Sequence, residues 1–199
     1  MSSVVISGDT SGAITLSAPA VAGTNTLTLP ASTGTVALTT SGSPQVDWWL
    51  LTTSFAASSG ANTLTTNLAR NTVTAYFKPI GSGMTQSSGI FTFPTTGMYQ
   101  VSFTVYGVGG NTSPYVGGGI YLSTDGGSTF GYTIAEGYQG IWANTAYMHQ
   151  VTTGFVNVTS TANIKVRFRI DTGNATTTIN GTTSGEQTGM RFIRIGEAQ

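Results

Sequence analysis

The chain has 199 residues with 39% hydrophobic content, enough for one sandwich-sized domain with an appendage and too little for two full domains. Only 7% of residues are charged, against roughly 25% in an ordinary soluble domain, so the polar surface has to be built from Thr, Ser, Asn and Gly. Seven basic and seven acidic residues leave zero formal charge, which excludes an electrostatic footprint for nucleic acid or anionic lipid, and the lack of cysteine excludes disulfides, thiolate metal sites and a Cys nucleophile.

Low charge here does not signal disorder, because 10% aromatics and many β-branched residues accompany it. The start, Met1 to Asp9, has no basic region and no sustained apolar stretch, so it is not read as a secretory signal. No segment approaches the ~18 to 20 apolar residues of a membrane span, and neither a membrane nor a nucleic-acid partner is expected.

Residues 1–45 form the first predicted region, without Lys, Arg or any aromatic residue and with Asp9 as its one acid. Gly12, Gly23 and Gly34 are spaced by eleven residues and open the units GAITLSAPAVA, GTNTLTLPAST and GTVALTTSGSP. Leu16, Leu27 and Leu38 fall at one place in the three units, and Pro19 matches Pro30, so each unit reads as a short strand between turn residues. So thin a segment cannot bury enough apolar surface to offset its ordering entropy by itself. It is read as an arm that orders against a partner or its own copies, with Ile14, Leu16, Leu27, Leu29, Val36 and Leu38 as the anchoring positions. The alternative is a flexible Ser/Thr/Gly-rich linker.

Residues 46–199 form the second region, where aromatics begin abruptly at Asp47-Trp48-Trp49. Strands are predicted at Trp48 to Phe55, Thr72 to Phe77, Ile90 to Phe93, Met98 to Gly107, Val116 to Ser123 and Phe130 to Ala135. Further strands follow at Tyr147 to Val158, Asn163 to Asp171, Thr176 to Ile179 and Met190 to Ile195. Tyr99 to Tyr106 alternates with its odd positions facing a core, and in Ile164 to Ile170 apolar and cationic residues interleave. Gly107 to Asn111 and Gly117 to Gly119 lack the setting of a phosphate cradle and are read as mobile loops. No stretch carries helical periodicity with caps, so the fold class is all-β: an antiparallel sandwich or jelly roll.

Few residues could carry chemistry. His149 is the one histidine, reads as a surface or internally satisfied residue, and has no second histidine to complete a zinc triad. The acids Asp9, Asp47, Asp125, Glu136, Asp171, Glu186 and Glu197 are scattered, and fold alone decides whether any two meet. Asp125 reads as a hairpin-turn residue and Asp171 as a strand end. No catalytic, cofactor-binding or metal-binding residues are assigned, and no cofactor is expected. Lys165, Arg167 and Arg169 make a cationic stripe on one strand face. Its plain reading is a solvated face, and its sharper one a contact with an acidic neighbour or a glycan.

Trp48, Trp49, Phe91, Phe93, Tyr99, Phe103, Tyr106, Phe155, Phe168 and Phe192 are expected mostly at positions facing the core or a trimer axis. Tyr115, Tyr132, Tyr138 and Trp142 lie among Gly and Asn instead, where an exposed ring could stack on a sugar.

The segment Gly89-Ile90-Phe91-Thr92-Phe93-Pro94-Thr95-Thr96-Gly97-Met98-Tyr99-Gln100-Val101-Ser102-Phe103 resembles a signature of the C1q/TNF-like jelly roll. Gly119 to Gly127, Thr153 to Val158 with Ile164 to Phe168, and Met190 to Ile195 fit that family's later strands in order. The resemblance spans roughly residues 46 to 196. It implies a compact homotrimer with an axis lined by aromatic and aliphatic side chains. The N-terminal text SGDTSGAITLSAPAVAGTNTLTLPASTGTVAL is similar to leader segments of structural proteins of tailed bacteriophages.

Together these resemblances imply a non-enzymatic virion protein, first a trimeric capsid decoration or cement protein whose arm docks on the major capsid protein. The alternative is a tail fibre or tail tip that recognises a host-surface glycan. A polysaccharide depolymerase is the third reading.

Overall fold

The computed structural model describes residues 3–7, 13–17 and 44–199. The chain divides into two units, residues 1–38 and 39–199. In the first, β1 (Ser3–Ser7) pairs antiparallel with β2 (Ala13–Ser17), in a register that sets Ile6 opposite Ile14 and Val4 opposite Leu16. Val5 and Ile6 are exposed. Of the anchoring positions, Ile14 and Leu16 therefore fall in β2, while Leu27, Leu29, Val36 and Leu38 lie outside the described residues.

The second unit begins with β3 (Val46–Leu51), β4 (Phe55–Ala56), β5 (Gly60–Thr63), β6 (Leu68–Arg70), β7 (Thr85–Ser87) and β8 (Ile90–Thr92). Then come the long strands β9 (Gly97–Gly109), β10 (Ser113–Ser123), β11 (Tyr132–Ile141), β12 (Tyr147–Val158) and β13 (Lys165–Thr172). β14 (Thr177–Ile179) and β15 (Gly189–Gly196) complete it. Among the described residues there is no helix.

Two antiparallel sheets form the sandwich. One runs β11-β10-β13-β8-β7, with β5 also on β13; the other runs β4-β14-β9-β15-β3-β6, with β12 also on β9. β15 and β14 meet successive parts of β9 while β12 spans nearly all of it, so β12 must occupy the opposite edge. From β8 onward the chain crosses repeatedly between sheets, from β8 to β9, β9 to β10, β11 to β12 and β12 to β13. Such crossing makes a jelly roll rather than a meander.

The inward rows interlock through aromatic rings. Phe91, Phe93, Tyr99, Phe103, Phe168 and Phe192 are all buried to 1% exposure or less. Phe91 meets Phe168 edge-on at 5.4 Å, and Phe103 and Phe168 lie 5.0 Å apart across the two sheets. Tyr99 can be buried because its hydroxyl donates to the Thr95 carbonyl at 3.0 Å. At the start of β3, the buried Asp47 accepts from Trp49 Nε1 (2.8 Å), the Met84 amide (2.7 Å) and Arg70 Nε (2.8 Å), which satisfies a carboxylate that would otherwise be prohibitively costly there.

Several expectations are corrected. Thr72 to Phe77 is a turn, because the amides of Tyr76 and Phe77 both bond to the Val73 carbonyl. Its rings serve as a lid: Tyr76 and Phe77 pack on Trp48 at 5.8 and 5.5 Å. Trp48 thus faces outward, as it must when its neighbour Trp49 joins the core side. Phe155, expected to face the core or a trimer axis, lies outside the subunit core and is 60% exposed, because the inward row of β12 is Gly154, Val156 and Val158. Tyr106 also faces outward and is half-buried.

Gly117 to Gly119, read both within the strand Val116 to Ser123 and as a mobile loop, sit in β10, and β9 continues through Gly107 to Gly109 where a loop was expected. At Gly118 any Cβ would lie 2.5 Å from Phe103 Cε1 and 2.6 Å from Val105 Cγ2, so the core leaves room for hydrogen only. The strand expected at Phe130 to Ala135 starts at Tyr132 and runs on to Ile141. Short strands β5, β6 and β7 were not anticipated, since polar stretches such as Gly60–Thr63 carry no alternating apolar pattern.

Candidate functional site

Two outward faces of the sandwich stand apart from an ordinary Thr/Ser surface. The first is on the β12-β9-β15 side. Along β12 the outward row is Tyr147, His149, Val151, Thr153, Phe155 and Asn157, without a charge. Tyr147 is 69% exposed, Val151 51% and Phe155 60%. Tyr106 of β9 stacks on Tyr147 at 6.0 Å and lies 6.3 Å from His149. Ile193 and Ile195 of β15 extend the apolar character, and the cation Arg191 is neutralised by Glu186 at 2.7 Å while resting on Trp48. Three large apolar side chains this exposed in one row, with no Asp, Glu, Lys or Arg among its residues, make the face a candidate for burial against another surface.

The second feature lies on the opposite side of the sandwich, where β11, β10 and β13 are neighbours. The register sets Gly117 between Tyr138 and Asp171, and Gly119 between Glu136 and Arg169. Because two adjacent outward positions of β10 have no side chain, the flanking strands' side chains lean over a trough. The Tyr121 ring lies over Gly119, where a Cβ would come within 2.8 Å of it. Arg169 stacks on that ring at 4.2 Å and its Nε donates to Asp171 Oδ2 at 2.9 Å.

The Tyr138 hydroxyl is 3.2 Å from Glu136 Oε2 and 3.4 Å from Asp171 Oδ2, so one proton is shared between two carboxylates. Tyr121 reaches the same Glu136 oxygen at 3.4 Å. Burial, and next the Asp171 charge, hold the Tyr138 hydroxyl well above its ordinary pKa of 10.0. Tyr115 completes the wall, edge-on to Tyr138 at 5.9 Å. Tyr115, Tyr138, Arg169 and Asp171 line an open cavity of about 420 Å³. A smaller cavity of about 230 Å³, lined by Leu51, Phe55 and residues 62–67, contains no ionisable side chain.

Of the four aromatics singled out from sequence, the fold unites Tyr115 and Tyr138. Tyr132 begins β11 and Trp142, 86% exposed, follows its end, so these two are roughly 30 Å apart along the strand. The cationic stripe is largely spent within the subunit: Lys165 Nζ donates to Thr92 Oγ1 and the Thr161 carbonyl, Arg167 lies over Phe130, and Arg169 pairs with Asp171. Asp171, read as a strand end, is in the site. One more step of the Arg167, Arg169 alternation would have found it. Glu136 was missed because the strand was expected to stop at Ala135. Asp125 does shape a turn, accepting from Ser123 Oγ and Thr129 Oγ1, which depresses its pKa. Among the described residues no group of three or more His, Asp or Glu could hold a metal ion.

No protein-family profile and no curated protein matches the chain. Solved structures do. Murine APRIL at pH 8.5 is 14% identical, with a TM-score of 0.53, covering 76% of this chain and 99% of its own, and the pH 5.0 structure gives the same values. Eiger TNF from S. frugiperda is 10% identical over 78% of this chain and 96% of its own, with a TM-score of 0.49. At this identity the APRIL likeness speaks to fold: the second unit is an all-β, two-sheet jelly roll of the TNF-like kind.

Proposed function

We propose that this chain is a non-enzymatic structural protein of a tailed-bacteriophage particle, a homotrimer that decorates the head surface and stabilises it. The observation that carries the reading is the uncharged outward row of β12, with Val151 and Phe155 more than half exposed. The C1q/TNF-like resemblance implies a trimer axis lined by aromatic and aliphatic groups, and Tyr147, Val151, Phe155 and Ile193 are side chains of that kind on one face. A trimer offers three N-terminal arms to the major capsid protein, and three weak contacts tied to one head combine into high avidity. The bacteriophage setting rests on the N-terminal resemblance.

The cavity beside Tyr115 and Tyr138 favours a second reading, a tail fibre or tip that recognises host-surface glycan. Copy number separates the two. Densitometry of purified virions should give a head-surface protein in many tens to hundreds of copies, and shells without it should expand but rupture at lower temperature than complete ones. A handful of copies per particle, or unchanged heat resistance, would reject the head-surface role.

A further inference from the structure

We propose that the cavity between Tyr115, Tyr138, Arg169 and Asp171 binds a neutral pyranoside. Its volume, about 420 Å³, is that of a small-molecule site and admits a single sugar ring with part of a second. The two tyrosines are 41% and 43% exposed with rings at 81°, so a sugar can lay its C–H face on one ring while the other closes its edge. Neither ring belongs to a loop. Tyr138 is paired within β11, and Tyr115, at the β10 irregularity between Ser113 and Val116, is held by its carbonyl, which accepts from the Gly173 amide and Ser113 Oγ, both at 2.9 Å.

The polar groups match a vicinal pair of hydroxyls. Arg169 spends Nε on Asp171, leaving its terminal nitrogens to donate, while Asp171 retains lone pairs to accept. Two neighbouring sugar hydroxyls can then bond one to each, as acceptor and donor side by side. Tyr138, tied to Glu136 and Asp171, holds the carboxylates in place. Charge decides the class of sugar. One cation, Arg169, faces two carboxylates, Glu136 and Asp171, so an anionic sugar would add to an existing negative excess. The site is on the opposite side of the sandwich from the β12 row, so self-association through that row leaves it open.

The site deepens the glycan-recognition reading and is independent of the trimer. Saturation-transfer NMR on the full chain with methyl glucoside, methyl galactoside, methyl N-acetylglucosaminide and methyl glucuronide tests it. At least one neutral glycoside should bind, and its affinity should fall at least tenfold in both Tyr115→Ala and Asp171→Asn and stay unchanged in Tyr76→Ala, whose ring is 51% exposed and packs on Trp48 of the other sheet. No transfer to any neutral glycoside, equal binding of the glucuronide, or undiminished binding in both site variants would overturn the proposal. Sedimentation of the same samples keeps the two readings apart: a trimer that binds no sugar sinks only the site, and a monomer that binds sugar sinks only the trimer.

Discussion

Single residues show how a chain so poor in charge uses the few it has. Asp47 is buried at 2% exposure and its oxygens accept from the Trp49 indole, the Met84 amide and the Arg70 guanidinium, tying the start of β3 to the end of β6 and to the approach to β7. Arg70 keeps a third of its side chain in water, yet removing it strands the carboxylate inside the protein. Arg70→Ala is therefore expected to cost about 3 kcal/mol, at the low end for a broken buried pair because water can partly replace the lost partner. Urea unfolding followed by tryptophan fluorescence measures it, and a loss under about 1 kcal/mol would show that the indole and amide donors suffice. In the sequence Asp47 was one of seven scattered acids, because a partner twenty-three residues away leaves no local trace.

Elements show how glycine reads differently once a strand has neighbours. The run Gly117 to Gly119 carries no periodicity of its own and reads equally as part of the strand Val116 to Ser123 or as a loop, whereas in β10 each position answers to a different constraint. Gly117 would bring a Cβ into the Gly137 carbonyl of β11, Gly118 faces Phe103 and Val105, and Gly119 supports the Tyr121 ring. A Gly118→Ala chain has to push the Phe103 ring or move β10, at a cost of about 1 to 3 kcal/mol. Gly185, with nothing near its would-be Cβ, should tolerate alanine within about 0.5 kcal/mol. Paired thermal melts of the two variants check the contrast, and equal melting temperatures would mean that the core yields at no cost. Gly117 and Gly119 of the same run leave the trough open on the outer face, while Gly118 answers to the core.

At the scale of the whole molecule, the sandwich has two unlike outer sides. One presents Tyr147, Val151 and Phe155 without a charge in the row; the other presents an aromatic and charged pocket. Association through the first and recognition through the second can therefore coexist. If three copies bury the β12 row, Phe155→Glu places a charge in that interface and should convert a sedimenting trimer to a monomer while leaving the far-ultraviolet circular dichroism unchanged, since Phe155 makes no part of the subunit core. Sedimentation velocity reads the outcome, and a Phe155→Glu protein that remains trimeric would place the interface elsewhere.

The sequence alone determined the class of fold and most of the long strands. Alternation in Tyr99 to Tyr106 and Ile164 to Ile170 is a local property, written by the two-residue period of a strand with one buried side. It could not choose a face for Phe155 beside Val156, or for Trp48 beside Trp49, because two adjacent apolar residues fit either phase. It also could not show that Glu136, Tyr138, Arg169 and Asp171 meet. Those residues belong to strands separated by up to thirty-five positions, brought into register only when β11 and β13 dock on opposite edges of β10. Periodicity is dictated by neighbours in the chain, whereas a site is dictated by neighbours in space, and only the tertiary structure decides the latter.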